Sequence, residues 1–316
     1  VRKLTPSGLT WSVGPAIMLT RAEIGETLRY LSSIISRDSL GQSWITVVFS
    51  LQSVFYGAKL VSVRAMLSNI AYWWGWSYYS ITQYGEEASC VPALTIRNGN
   101  PFLVYYNPST YFFKWCYWDG TSWTARQAIP DSGHPTGRLV SFGDSFSLAG
   151  KGSEVHLVVE EDLKYVYYDG TSWSAPEALG SENDAFPSLT TDNVDLWCFA
   201  SVNYPGPGSE KYNIKYKKRT SSTEIWDSTW TAVTTDNASN RYPTIPSIVT
   251  GYVPVAWTWG DSTPYTVKYC WLDIVSLADP TLVLSDQTSG DTTYTNSPTV
   301  NVVVGNDAGV SKWLIS

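Results

Sequence analysis

Seven acidic side chains stand in short polar segments between apolar runs: Glu86, Glu87, Asp131, Glu182, Asp184, Asp236 and Asp291. Two carboxyl groups facing each other across a sugar ring are the minimum equipment for glycoside hydrolysis. They lie about 5 Å apart when one is a nucleophile and about 6.5–9.5 Å apart when a water must fit between them. Spacing along the chain does not select a pair, and a loop acid serves equally well as a turn cap. There are 2 histidines. His134 lies in one of the polar segments, where a general base or a ligand contact is conceivable; His156, between Val155 and Leu157, reads as a packed core side chain. Arg138 and Arg241 could grip a carboxylated sugar bidentately or pair with a neighbouring loop acid. Rings recur in a second set of segments, at Tyr56, Tyr111, Tyr204 and Trp259. Asp131, His134, Glu182, Asp184 and Arg241 are therefore the candidates for catalysis. Glu86, Glu87, Asp236, Asp291, Arg138 and the four rings are the candidates for ligand contact. No metal-ligand spacing, phosphate loop or serine-nucleophile motif occurs, so neither metal nor cofactor is expected.

What must position these residues is a repeat. Tyr117-Trp-Asp-Gly-Thr-Ser-Trp123 returns as Tyr167-Tyr-Asp-Gly-Thr-Ser-Trp173, and looser copies end at Trp11 and Trp230. Between the copies lies a phrase of Pro and a small residue: Val91-Pro-Ala-Leu94, Phe186-Pro-Ser-Leu189, Ile245-Pro-Ser-Ile248 and Ser297-Pro-Thr-Val300. A period of roughly 40–60 residues built from strands implies a radial or stacked repeat. Each unit reads as four strands, A to D. Strand A carries the proline phrase, B is apolar and aromatic, C alternates aromatic and polar residues, and D begins at the tryptophan. Asp119-Gly120 and Asp169-Gly170 are turn signals, since the turn needs positive φ. In this order the acidic segments join D to the next A, the aromatic segments join B to C, and both belong to the same end of the sheets.

Five complete units fit, at roughly 28–87, 88–132, 133–182, 183–238 and 239–295. The C-terminal segment then supplies strands A and B alone, and the N-terminal segment C and D alone. The expected fold is an all-β, six-bladed propeller of four-stranded blades in one domain, 1–316. Its sixth blade is shared between about 1–20 and 296–316, the N-terminal strands pairing with the C-terminal ones.

The run from Trp173-Ser-Ala-Pro through Phe186-Pro-Ser-Leu189 to Ile214-Lys-Tyr-Lys-Lys218 resembles the BNR or sialidase-like propeller repeat. Asn240-Arg-Tyr-Pro243 followed by Val253-Pro-Val-Ala-Trp257 adds to the likeness. The Asp-Gly-x-x-Trp turns are also similar to those of six-bladed fucose-binding lectins. The resemblance implies a propeller scaffold. The turn here is shorter than the sialidase Asp-box (Ser-x-Asp-x-Gly-x-x-Trp), and Arg241-Tyr-Pro243 is only a distant echo of the sialidase Arg-Ile-Pro motif. No arginine triad and no Tyr–Glu nucleophile pair is carried onto named residues.

Composition narrows the partners. The 316 residues are 15% aromatic, with 16 Trp and 21 Tyr, and only 16% charged, with a formal net charge of −7. Binding nucleic acid through counterion release needs a basic face, and the densest basic run, Lys215-Tyr-Lys-Lys-Arg219, falls in a strand that would split its charges between two faces. That run reads as solvated protection of an edge strand. No 18-residue apolar stretch suggests a membrane span. Cys90, Cys116, Cys198 and Cys270 lack metal spacing and read as buried free thiols. The expectation is an extracellular or cell- or virion-surface module whose partner is a glycan or polysaccharide. A sialidase-like glycosidase, a lyase for uronic polysaccharides, or a structural host-contact protein are the alternatives.

Overall fold

The structure, a computed structural model, describes residues 4–7, 10–13, 26–53, 55–69, 76–83, 91–107, 112–130, 146–160, 163–181, 184–203, 211–236, 238–273, 281–286 and 300–305. These residues are all-β apart from one turn of 3-10 helix at Leu67–Asn69. Strands β1 (Leu4–Ser7) and β2 (Thr10–Val13) form a two-stranded antiparallel ladder. Four antiparallel sheets then follow in chain order. The first holds β3 (Glu26–Arg37), β4 (Ser43–Ser53), β5 (Gly57–Met66) and β6 (Trp76–Ser80). The second holds β7 (Val91–Arg97), β8 (Asn100–Asn107), β9 (Phe112–Tyr117) and β10 (Gln127–Ala128). The third holds β11 (Phe146–Lys151), β12 (Glu154–Val159), β13 (Lys164–Tyr168) and β14 (Glu177–Ala178). The fourth holds β15 (Ala185–Thr191), β16 (Leu196–Asn203) and β17 (Tyr212–Thr220), with β18 (Ile225–Trp226) and β19 (Thr231–Ala232) both paired to β17. A fifth sheet has three strands, β20 (Asn240–Thr244), β21 (Tyr252–Trp259) and β22 (Thr266–Asp273). Finally β23 (Thr281–Asp286) pairs with β24 (Val300–Gly305).

Each sheet is a meander whose first strand packs beside the first strand of the next: β3 on β7, β7 on β11, β11 on β15 and β15 on β20. These are the inner strands of successive propeller blades. The strand alternation explains the stacking. On β8, Phe102, Val104 and Tyr106 face the third sheet and join Leu148, Val155, Leu157 and Tyr168 in one buried cluster. Leu103 and Tyr105, one residue out of phase, face the first sheet beside Val48 and Leu60. A two-residue period with both faces apolar lets one strand serve two interfaces.

The repeated turn behaves as its residues require. Gly120 and Gly170 take φ of 109° and 106°. Asp119 Oδ1 accepts the backbone N–H groups of Thr121 and Ser122 at 2.8 Å each, and Asp169 Oδ1 accepts those of Thr171 and Ser172 at 2.7 and 2.8 Å. Those donors favour the ionised form and pull both carboxyls down to about 2. We expect side-chain carboxyl NMR to show both groups titrating near that value. Because the folded value is depressed, their contribution to stability is present above the ordinary aspartate value of about 3.9 and is lost as pH falls through the folded one. The turn's purpose is to aim a tryptophan at the preceding blade. Trp123 Nε1 donates to Ser62 Oγ on β5 at 2.8 Å, and Trp173 lies edge-on to Phe102, centroids 6.4 Å apart.

Register corrects the copy in the fourth sheet. Trp123 bridges Trp118, Trp173 bridges Tyr168, and in the fourth sheet the residue paired in the same way is Trp226, opposite Arg219. Trp226 meets Tyr165 of the third sheet edge-on at 5.1 Å. Trp230, the residue expected from spacing, packs at the edge of the same cluster as Trp226 and lies beneath the Lys217 ammonium at 5.3 Å. A turn at 221–224 replaces Asp-Gly here, so the shared spacing to the tryptophan is lost while the packing position is kept. The basic run is corrected too. β17 is paired on both sides and is not an edge strand. Lys218 sits over Trp197 and pairs with Asp195 at 2.7 Å, and Arg219 is buried over Tyr165 and Tyr167. Cys116, Cys198 and Cys270 are free thiols, the first two buried; Cys90 lies outside the described residues.

The ends differ from expectation in two respects. β23 pairs with β24, the strand expected to open the sixth unit, with Leu282 opposite Val304 and Leu284 opposite Val302 in the Cα register. Among the described residues no ladder joins β1–β2 to β23–β24.

Candidate functional site

The chain order A–B–C–D, observed in the second and third sheets and in the inner strands of the fourth, puts the D–A and B–C connections at one end. Between the fourth and fifth sheets the two kinds of connection meet. Asn240, the first residue of β20, is fully buried and organises the meeting. Its Oδ1 accepts the Trp257 indole N–H at 2.8 Å. Its Nδ2 donates to Asp236 Oδ1 at 2.6 Å and to the Ala238 carbonyl at 2.9 Å. The other Asp236 oxygen accepts the Trp259 indole N–H at 2.9 Å. The Lys268 ammonium lies 3.8 Å from that oxygen and 3.9 Å from the Trp259 ring centroid. Burial would raise the Asp236 carboxyl, but the Asn240 and Trp259 donors and the Lys268 charge outweigh it, and the net shift is downward.

A second chain of contacts ties in the neighbouring blade. Ser239 N–H donates to Asp261 Oδ1 at 2.9 Å, and Lys211 lies 3.8 Å from the other Asp261 oxygen. Arg241 Nε donates to Ser239 Oγ at 3.0 Å, and its guanidinium stacks 4.7 Å from the Tyr212 centroid. Asn213 Oδ1 accepts from Thr234 Oγ1 at 3.0 Å. Lys211 precedes β17 and Tyr212 and Asn213 open it, so three connections from two blades converge on one patch.

Of the sequence candidates, Asp236, Trp259 and Arg241 are brought together here. Asp184 serves the fold instead. Its Oδ2 accepts the Ser181 N–H at 2.9 Å, its Oδ1 the Asn203 N–H at 3.1 Å, and it is buried. Gly180 is needed beside it, since a Cβ there would fall 2.7 Å from Asp184 Oδ2. Tyr56 is exposed at the β4–β5 connection of another blade, its ring 6.3 Å from that of Phe55. Glu86, Glu87, Tyr111, Asp131, His134, Arg138, Glu182, Tyr204 and Asp291 lie outside the described residues. His156 is packed as expected, its Nδ1 2.8 Å from Tyr165 Oη. Sequence reasoning missed Asn240, Trp257 and Lys268. The available signal was an asparagine just ahead of a proline phrase, opposite a strand ending in Trp257-Thr-Trp259.

Among the described residues, no group of three or more His, Cys, Asp or Glu could hold a metal ion. No helix among them is long and apolar enough to cross a membrane.

No known family pattern and no curated protein matches the chain. Solved structures do. A protein of unknown function from Dyadobacter fermentans superposes with a TM-score of 0.51 at 12% identity, over 81% of each chain. The intramolecular trans-sialidase from Ruminococcus gnavus gives 0.46 at 14% identity, over 70% of this chain and 52% of that one, so the chain spans about half the length of that enzyme. An exo-1,5-α-L-arabinanase from a bovine ruminal metagenomic library gives 0.41 at 10% identity, over 82% and 94%.

Proposed function

We propose that this chain is a carbohydrate-recognising β-propeller that acts outside the cell or at a cell or virion surface, and that its partner is a glycan. The observation that carries the reading is the Asp236–Trp259–Lys268 group, held by a buried asparagine at the end where acidic and aromatic connections meet. A half-exposed indole beside fixed carboxylate and amide groups suits a sugar, whose C–H face stacks on a ring while its hydroxyls take the polar partners. Binding is favoured over hydrolysis because both described candidate acids are occupied. Asp184 is consumed by backbone donors, and the Asp236 oxygens are taken by Asn240 Nδ2, the Trp259 indole N–H and the Lys268 ammonium.

The scaffold in this reading is one domain of six BNR- or sialidase-type blades, closed by the terminal segments about 1–20 and 296–316. Two faces support closure. The outer face of the first sheet buries Val47, Phe49, Leu51, Val61 and Val63 in a cluster that includes no described residue of another sheet. The outer face of the fifth sheet leaves Tyr252, Val267, Tyr269 and Trp271 exposed. Closure in this reading requires a further sheet built from β1–β2 and β23–β24 against the uncovered face of the fifth sheet.

The test is to screen the purified chain against neutral, uronic and sialylated oligosaccharides, with product release followed in parallel. Binding without release supports the reading; release establishes an enzyme, and neither removes both. Asp236→Ala leaves two donors without their acceptor. We expect it to weaken glycan binding about tenfold and cost about 1 kcal/mol of stability, measured by calorimetry and denaturant melts.

A further inference from the structure

Three inner strands share an irregularity near their first residues. Tyr30 on β3, Phe186 on β15 and Tyr242 on β20 have φ of 47°, 57° and 58°. Each sits at a register shift, between Arg29 and Leu31, Ala185 and Ser188, and Arg241 and Thr244 respectively. A bulky side chain in the left-handed region is an outlier that costs stability, whereas glycine takes that conformation freely. Bulges re-aim side chains and gather beside functional sites.

For Tyr30 the reason is packing, since its ring rests against the cluster between the second and third sheets. Phe186 and Tyr242 have no such reason. Among the described residues, neither belongs to any of the interblade clusters nor is packed against one. Instead they meet each other from adjacent blades, ring centroids 4.2 Å apart and planes at 44°. Phe186 is half-buried and Tyr242 is 40% exposed. Both lie at the end of the inner strands where the D–A connections enter. Tyr242 follows Arg241, whose guanidinium and Ser239 partner belong to the network around Asn240.

We propose that Phe186 and Tyr242 form a two-ring stacking platform for one sugar residue of the bound glycan, held open by backbone strain at the mouth of the inner strands. This deepens the carbohydrate reading and rests on it. The left-handed backbone turns the two rings toward each other and away from the interblade cores. The adjoining Arg241 and Ser239 supply polar partners for the sugar's hydroxyl or carboxylate edge.

The experiment compares wild type with Phe186→Gly, Tyr242→Gly and the double Phe186→Leu/Tyr242→Leu variant. Oligosaccharides that wild type binds in the neutral, uronic and sialylated panel are titrated by calorimetry, with thermal melts alongside. Glycine accepts the φ without strain, so each glycine variant is expected to melt at or above the wild-type temperature while binding about tenfold more weakly. The leucine pair keeps apolar bulk but loses the flat faces and is expected to bind as weakly. Wild type that binds no oligosaccharide overturns the carbohydrate reading, and this proposal with it. Wild type that binds, with glycine and leucine variants binding equally well, overturns the platform alone. Glycine variants that melt several degrees lower and bind normally show the rings to be packing elements, which also overturns it.

Discussion

Phe102→Ala is expected to destabilise the chain by about 3–5 kcal/mol, the range for deleting a fully buried aromatic ring. Phe102 is 0% exposed and is the hub of the interface between the second and third sheets. Its ring stacks on Trp115 with centroids 5.2 Å apart and planes at 8°, and meets Tyr168 at 5.9 Å and Trp173 at 6.4 Å. Removing it leaves a cavity walled by large rings, which cannot collapse by small rotamer changes because each is held by its own strand. Arg97, from the β7–β8 hairpin, donates to the Ser153 and Gly170 carbonyls at 2.9 and 3.1 Å, so one edge of the interface is also pinned by hydrogen bonds and resists closing over the void. Phe112, at the far end of the neighbouring strand β9 and 42% exposed, is the matched control, and its alanine variant should change stability by less than about 1 kcal/mol. Denaturant melts by tryptophan fluorescence measure both. Equal effects at the two sites would show that these sheets do not stack as described.

Acidification from pH 7 to pH 5 is the second large expected effect, and it operates through His156. The ring is fully buried. Nδ1 lies 2.8 Å from Tyr165 Oη and Nε2 lies 3.4 Å from Glu154 Oε2. Burial pushes the imidazole below its ordinary value, Glu154 pulls it back up, and Arg219 and Lys151 push it down again; burial wins. A folded value below the unfolded one means the unfolded chain takes the proton first. Stability is therefore intact above about pH 6.5 and is lost as pH falls from there through the folded value, at up to about 1.4 kcal/mol per pH unit. Glu154 is itself held low, first by its bond to His156, so its own contribution is lost only below the ordinary glutamate range and does not mask the histidine between pH 7 and 5. His156→Phe should flatten the melting-temperature profile across that interval. A slope that persists unchanged in the variant would assign the effect to another group.

How much of this was legible in the sequence differs from element to element. The turns at Asp119-Gly120 and Asp169-Gly170 were fully legible, because the positive φ of the glycine and the side-chain acceptor of the aspartate are local requirements. Trp226 was not. The fourth sheet replaces the Asp-Gly turn by a longer one, and only hydrogen-bond register shows that Trp226, not Trp230, fills the place of Trp123 and Trp173. The edge-strand reading of Lys215–Arg219 failed for a related reason. A strand's pairing on its far side depends on segments distant in sequence, here β18 and β19, which hold it in the sheet while rings of the third and fourth sheets cover its charges. At the site, Asp236, Trp259 and Arg241 were legible as residue types in loops. Asn240 was not, because its importance comes from being buried among partners from three connections.

The amino-acid sequence by itself determined the A–B–C–D order of the second and third sheets and the chemistry of their Asp-Gly turns. These follow from two-residue alternation and glycine's φ, which act over a few neighbouring residues. Tertiary structure alone decided that Asp184 braces a turn while Asp236 holds an indole, that Phe186 and Tyr242 meet face to tilted face, and that burial holds the His156 imidazole below its ordinary value. Each of these depends on which distant atoms exclude water from a group and which offer it a hydrogen bond, and neither is written in the local chain.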